Sequence, residues 1–167
     1  MTATTAAKAR VPAMEGWFRI DESQPHLLGT QCTSCKSYFF PKETFFCRNP
    51  HCTGDQFDEV ELSRTGKIWS YTTNHYQPPA PYIAPDPFVP YTIAAVELDT
   101  EKMVVLGQIA SGIDPDELSS GMEVELVLET LYEGDENEFM VWKWKPIAAS
   151  STPSTPSTSS TPAKGEN

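Results

Sequence analysis

Several things are scarce in this chain of 167 residues, and each scarcity excludes something. No apolar run approaches the roughly 18 residues that a membrane-spanning helix needs, so no membrane partner is expected. Basic residues are few and scattered, 12 Lys and Arg against 23 Asp and Glu, for a formal charge of −11. A chain so acidic is repelled by a phosphate backbone, which argues against nucleic acid. The N-terminus lacks the apolar stretch of a secretory signal, so the expected compartment is the cytoplasm, where disulfides are disfavoured. Serine never stands in a G-x-S-x-G setting and no glycine-rich phosphate loop occurs. The three histidines, His26, His51 and His75, lie in separate segments, and only His75, beside Tyr76 at a strand end, invites attention. No complete catalytic constellation is visible, and no catalytic residue is assigned.

Cysteine is confined to one place. All four lie between positions 32 and 52, as Cys32-Thr-Ser-Cys35, eleven intervening residues, then Cys47-Arg-Asn-Pro-His-Cys52. Two short loops, each presenting two thiolates, converge on a tetrahedral centre in a zinc ribbon, so one structural Zn2+ bound by Cys32, Cys35, Cys47 and Cys52 is expected. Two disulfides are the alternative, and they require an oxidising compartment. Redox iron of the rubredoxin kind is weaker, because Lys36 stands where a glycine normally follows the first pair and the second loop holds four residues. His51 reads as a loop residue. Lys36, Lys42 and Arg48 are near enough in sequence to offset the thiolate charge. Zinc closed in by four sulfurs has no open position for water, so this centre is expected to hold structure and not to perform chemistry.

Taken in order, residues 1–13 are small and polar and expected to be disordered. Residues 14–30 are expected to form a short N-terminal helix, with Trp17, Phe18 and Ile20 as its apolar cluster, and a lead-in strand from Leu27 to Gln31. The ribbon then occupies 31–62, with Phe39, Phe40, Phe45 and Phe46 covering the metal hairpins and Phe57–Leu62 as exit strand. From 63 to 147 the pattern changes to longer strands, Lys67–His75, Tyr91–Leu98, Met103–Ile109, Met122–Leu131 and Phe139–Lys145. The last is the clearest, since Met140, Trp142 and Trp144 alternate with Val141, Lys143 and Lys145. Asp114-Pro115-Asp116-Glu117 carries the cap and first-turn signals of a small helix between the third and fourth strands. Five strands with that insertion match a Greek-key barrel of the OB type. The expected fold class is therefore mainly β: N-terminal helix, rubredoxin-like zinc ribbon, five-stranded OB-fold barrel.

Two connections carry the remaining expectations. Gln77–Pro90 is dense in proline, which stiffens it, and is interleaved with Tyr82, Ile83, Phe88 and Val89. A rigid apolar loop at a barrel mouth lines a ligand groove, meets a partner, or simply crosses between strands. From Glu123 to Glu138 there are seven carboxylates and no base; most belong to a solvated face, and a patch for a basic partner is the alternative. Residues 148–167, rich in Ser, Thr and Pro, cannot bury a core and are expected to be disordered.

The motifs also occur in a distinctive order. Leu27-x-Gly29-x-Gln31-Cys32-x-x-Cys35, Phe40-Pro41 and a second cysteine pair precede Gly66-Lys-Ile-Trp-Ser-Tyr-Thr-Thr73. Pro90-Tyr-Thr-Ile-Ala-Ala-Val-Glu-Leu98, Val104-Val-Leu-Gly-Gln-Ile109 and Gly121-Met-Glu-Val-Glu-Leu126 follow. Across about residues 14–147 this resembles the zinc-ribbon/OB-fold proteins that accompany thiolase-fold enzymes of acyl-CoA metabolism. Such proteins partner thiolases, hydroxymethylglutaryl-CoA synthases, and the lipid-transfer-protein-like aldolases that shorten steroid side chains. The resemblance implies a non-catalytic subunit of a hetero-oligomer that helps bind or channel an acyl-CoA thioester, while a thiolase-fold or lipid-transfer-protein-like partner performs retro-aldol or thiolytic cleavage. Some relatives carry a fused hydratase domain that this chain lacks, and their second cysteine loop is usually C-x-x-C. On this basis Tyr76, Tyr82, Phe88 and Tyr91, in or beside the stiff loop, are candidates for the substrate or CoA groove. Trp17 and Phe18 are candidates for the partner interface. A nucleic-acid-binding OB-fold with a ribbon is the competing class by fold, and the acidity counts against it.

Overall fold

The five alternating segments close on one another. In the computed structural model, which describes residues 8–21 and 23–147, strands β6 (Thr65–Asn74), β7 (Tyr91–Leu98), β8 (Val104–Ile109), β9 (Glu123–Glu133) and β10 (Asn137–Pro146) form a barrel. Their order is β9-β6-β7-β8-β10, and pairing of β10 with β9 closes the ring. Every pairing is antiparallel except β8 with β10, which run parallel through Gln108 opposite Lys143 and Ile109 opposite Trp144. The alternation decides which side chains fill the barrel: Ile68, Ala94, Val96, Leu98, Val105, Val124, Leu126, Met140 and Trp144 are all buried. Pro115–Glu117 is a single 3-10 turn, with the Asp114 carboxylate accepting the Asp116 N–H at 2.9 Å as cap.

A second, smaller sheet precedes the barrel. Its strands are β2 (Phe18–Arg19), β3 (His26–Cys32), β4 (Tyr38–Phe39) and β5 (Phe57–Glu61), with β3 pairing all three others. The ribbon's two cysteine loops hang from this sheet.

The N-terminal helix expected over residues 14–20 is not formed, and no α-helix occurs among the described residues. Gly16 sits at a φ of +75°, in the left-handed region where a helix cannot continue. The chain then turns and lays Phe18 and Arg19 against Leu27 and His26 of β3, whose edge supplies the hydrogen bonds a helix would have made internally. The Leu28 N–H donates to the Trp17 carbonyl at 2.8 Å. The expected disorder of residues 1–13 is corrected in part. Ala9–Pro12 form β1, parallel to β10 from Asn137 to Met140, because β10 outruns β8 and leaves a free edge there. Residues 1–7 and the Ser/Thr/Pro tail at 148–167 lie outside the described residues.

Aromatic rings join the two sheets. Trp142 of β10 receives Trp17 at 6.0 Å, Phe18 at 5.7 Å and Phe40 at 5.8 Å between ring centroids. Its indole N–H donates to the Leu106 carbonyl at 3.1 Å. Phe18 is 4% exposed and so has almost no surface to offer a partner. Phe18 is a core residue of this chain's own ribbon–barrel junction, and the half-buried Trp17 packs against that core. That corrects the assignment of Phe18 to a partner interface: the apolar cluster exists because the ribbon has too little core to stand alone.

Candidate metal centre and barrel-mouth cavity

The first cysteine loop leaves β3 at Cys32, and the second lies between Cys47 and Cys52. The four sulfurs lie within 4.8 Å of one another. Cys32 and Cys52 Sγ are 3.8 Å apart, and Cys35 and Cys47 Sγ 3.5 Å. A tetrahedron with the usual zinc–sulfur bond has edges of about 3.8 Å, so the cage already has the size of the ion. All four cysteines are free thiols in this geometry, not disulfides. His51 is exposed and stands outside the cluster, its backbone N–H donating to the Asn49 carboxamide oxygen at 3.0 Å. The centre is a structural zinc site with four thiolate ligands.

Backbone N–H groups stabilise those thiolates. Each sulfur meets the N–H two residues on, at Ser34, Ser37, Asn49 and Gly54 respectively, the last at 3.4 Å from Cys52 Sγ. Cys32 is held below its ordinary value chiefly by the Cys35 N–H. Ser37, its Oγ 3.2 Å from Cys35 Sγ, is placed to give its hydroxyl proton to that thiolate and holds Cys35 down to about 6. Burial pushes the Cys47 thiol up to about 12, so this sulfur depends most on the metal to lose its proton.

The bases expected to offset the thiolate charge are largely engaged elsewhere. Lys42 pairs with Glu59 at 3.0 Å, and Arg48 with the buried carboxylate of Glu43. Glu43, which no sequence signal singles out, orders the span between the loops. Its side chain accepts the N–H groups of Thr44 and Phe45 at 3.0 and 3.2 Å, while Thr30 Oγ1 bonds both its N–H and its carbonyl. These bonds hold its carboxyl below the usual range, the Phe45 N–H foremost. Lys36 adopts a φ of +60°, the conformation for which glycine is favoured, so the first loop takes its sharp turn without glycine. Phe45 and Phe46, expected to cover the metal, are 81% and 66% exposed. Glu43 binds the backbone there and turns both rings outward; the Phe39–Phe57 pair, 5.9 Å apart, packs beside the ribbon strands instead.

The stiff loop Gln77–Pro90 returns across the mouth of the barrel. There it bounds a cavity of about 450 Å³ together with the barrel rim and the 110–115 connection, a size within the small-molecule range of roughly 300–1,000 Å³. Of the four groove candidates, Tyr82 and Tyr91 line it and stack at 5.7 Å with planes 23° apart. Phe88 buttresses Tyr91 edge-on at 6.3 Å. Tyr76 is 73% exposed and does not line the cavity. Burial pushes the Tyr82 phenol above its ordinary value where it meets Gln108. Sequence reasoning missed Gln108, Ser111 and Lys143, also in the lining. Lys143 falls among the residues that alternate with Met140, Trp142 and Trp144, and no spacing signal distinguishes it.

A closed five-stranded barrel behind a four-thiolate ribbon defines a zinc-ribbon/OB-fold protein. The chain belongs to the DUF35 family of such proteins. Residues 22–58 match the family described as "ChsH2, rubredoxin-like zinc ribbon domain", and residues 59–129 match "ChsH2, C-terminal OB-fold domain". The chain is 32% identical over 127 residues to a DUF35 domain-containing scaffold protein of Methanocaldococcus jannaschii, covering 72% of this chain and 82% of that one. It is 31% identical over 130 residues to the benzoylsuccinyl-CoA thiolase subunit BbsA of Geobacter metallireducens, covering 77% of this chain and 80% of that one. A solved structure titled "Ltp2-ChsH2(DUF35) aldolase" superposes with a TM-score of 0.56 at 31% identity, over 81% of this chain and 98% of that chain. No helix among the described residues is long and apolar enough to cross a membrane.

Proposed function

We propose that this chain is a non-catalytic accessory subunit that binds a thiolase-type enzyme and helps bind an acyl-CoA thioester at the barrel mouth. One observation carries the proposal: a preformed cavity, walled by the Tyr82–Tyr91 stack, lies on a scaffold whose relatives include a thiolase subunit. The solved relative, titled as an Ltp2–ChsH2 aldolase, supports a partner of the same superfamily and a carbon–carbon cleavage, thiolytic or retro-aldol. The zinc centre offers no open coordination position, so it serves the proposal by holding the ribbon against the barrel. The contribution to rate is positional: fixing a long, flexible thioester lowers the entropic part of the partner's barrier without adding a reacting group.

The test is copurification of the chain with its enzyme, followed by steady-state turnover of a CoA thioester with and without it. Turnover should rise on reconstitution, and Tyr91→Ala should raise KM. A partner equally active and equally stable without this chain would refute the proposal.

A further inference from the structure

The cavity at the barrel mouth has a polar floor that fold stability does not explain. Lys143 of β10 lines it with a side chain only 10% exposed, and its Nζ lies 2.8 Å from Glu129 Oε2 and 3.3 Å from Ser111 Oγ. Ser111 donates its N–H to both Glu129 oxygens, at 3.1 and 3.2 Å, and its hydroxyl to Oε2 at 2.7 Å. The Ser111 hydroxyl proton is thus committed to Glu129, leaving Oγ to accept from Lys143. An ammonium has three N–H donors, and these two contacts use two. A part-buried ion pair of this sort adds little stability, so the place of Lys143 in the cavity wall points to a ligand.

We infer that the cavity takes an elongated, uncharged ligand whose amide or thioester carbonyl is received by Lys143 while its chain lies along Tyr82, Tyr91 and Ile113. The polarity of the site argues for a neutral group. Glu129 already neutralises the ammonium, and the chain's net charge of −11 repels an incoming phosphate. Thr73, Thr92 and Gln108 add uncharged donors and acceptors to the lining, and Pro85, Val89 and Pro90 add apolar wall. His75 is the other titratable base in it. This inference rests on the acyl-thioester proposal above. Within it, the ligand is the amide-bearing pantetheine arm, and the phosphorylated nucleotide end stays outside the cavity.

The experiment is a ligand-observed NMR titration of the full, zinc-loaded chain with three probes: S-acetylpantetheine, its 4′-phosphate, and adenosine 3′,5′-bisphosphate. The neutral probe should bind, the added phosphate should not tighten it, and the bisphosphate should give no saturable signal. Lys143→Met should weaken the neutral probe by about tenfold or more, the scale of one hydrogen bond from a charged donor. That variant leaves Glu129 without its partner, so the double variant Lys143→Met/Glu129→Met is measured beside it; it removes both charges and should fold and show the same loss. No binding of the neutral probe, or unchanged affinity in the folded double variant, overturns the inference. A chain that still raises partner turnover with an unaltered KM after Lys143→Met overturns it too, and leaves the accessory role standing. Probe binding lost with Lys143, but no effect of the chain on any partner, supports the cavity assignment and refutes the accessory role.

Discussion

Trp17 stacks on Trp142 with ring centroids 6.0 Å apart and planes 30° apart, so the first aromatic of the ribbon half rests on the last strand of the barrel. Phe18 and Phe40 pack on the same indole, and the junction is a four-ring cluster between two sheets that share no strand pairing. Removing a buried ring from such a cluster leaves a cavity. Phe18→Ala should therefore destabilise the chain by about 3 kcal/mol or more, read as a shift in thermal or denaturant unfolding. Unchanged stability with lost partner binding would return Phe18 to the interface role.

Metal analysis should find one zinc and little iron per chain. Cys35→Ser should lose the metal and with it the ribbon strands, because the site and its fold form together. Gly54→Ala is a subtler probe. A Cβ there would lie 2.8 Å from Ser34 Oγ and 3.1 Å from Cys32 Sγ, and Gly54 also supplies the N–H to Cys52. Changes at this distance from a metal commonly cost about 10–100-fold in affinity. Chelator competition measures it, and wild-type affinity in Gly54→Ala would contradict the packing described.

The double variant Phe45→Ala/Phe46→Ala should leave stability within about 0.5 kcal/mol of wild type, since both rings are mostly exposed. A loss of several kcal/mol would mean that the rings pack over the metal after all. Zinc content of the variant, measured alongside, should be unchanged.

The Lys143–Glu129 pair has a signed pH dependence. Burial acts to raise the Glu129 carboxyl, but bonds from Lys143 and Ser111 outweigh it and hold it below the ordinary value. A group with a depressed folded value stabilises above its unfolded value, about 4.3, and that contribution fades as pH falls through the folded value. The stability difference between wild type and Glu129→Gln should be full at pH 7 and shrink below about pH 4. Its size should stay near or below about 1 kcal/mol because Glu129 keeps part of its solvent contact. Measuring the difference cancels loss of zinc in acid, which both proteins share. A gap that widens in acid would reverse the assignment.

The sequence by itself determined the covalent logic of the molecule. Four cysteines in two loops specify a tetrahedral thiolate centre, because ligand identity and spacing are properties of the chain. The five barrel strands were legible within about two residues at each end, because a strand with one buried face must alternate with period two. What escaped was decided between segments distant in sequence. Residues 14–20 have an apolar cluster that suits either a helix or a strand, and the free edge of β3 with Gly16 at positive φ settled it. Phe18 and Phe45 are equally apolar, yet one is 4% and the other 81% exposed. Trp142 arrives 124 residues after Phe18 to cover it, whereas Glu43 fixes the backbone that turns Phe45 outward. Lys143 and Ser111 are ordinary polar residues 32 positions apart. Only the parallel pairing of β8 with β10 brings them together beneath Tyr82 and Tyr91, because register across strands is written in the whole barrel and in no single segment of it.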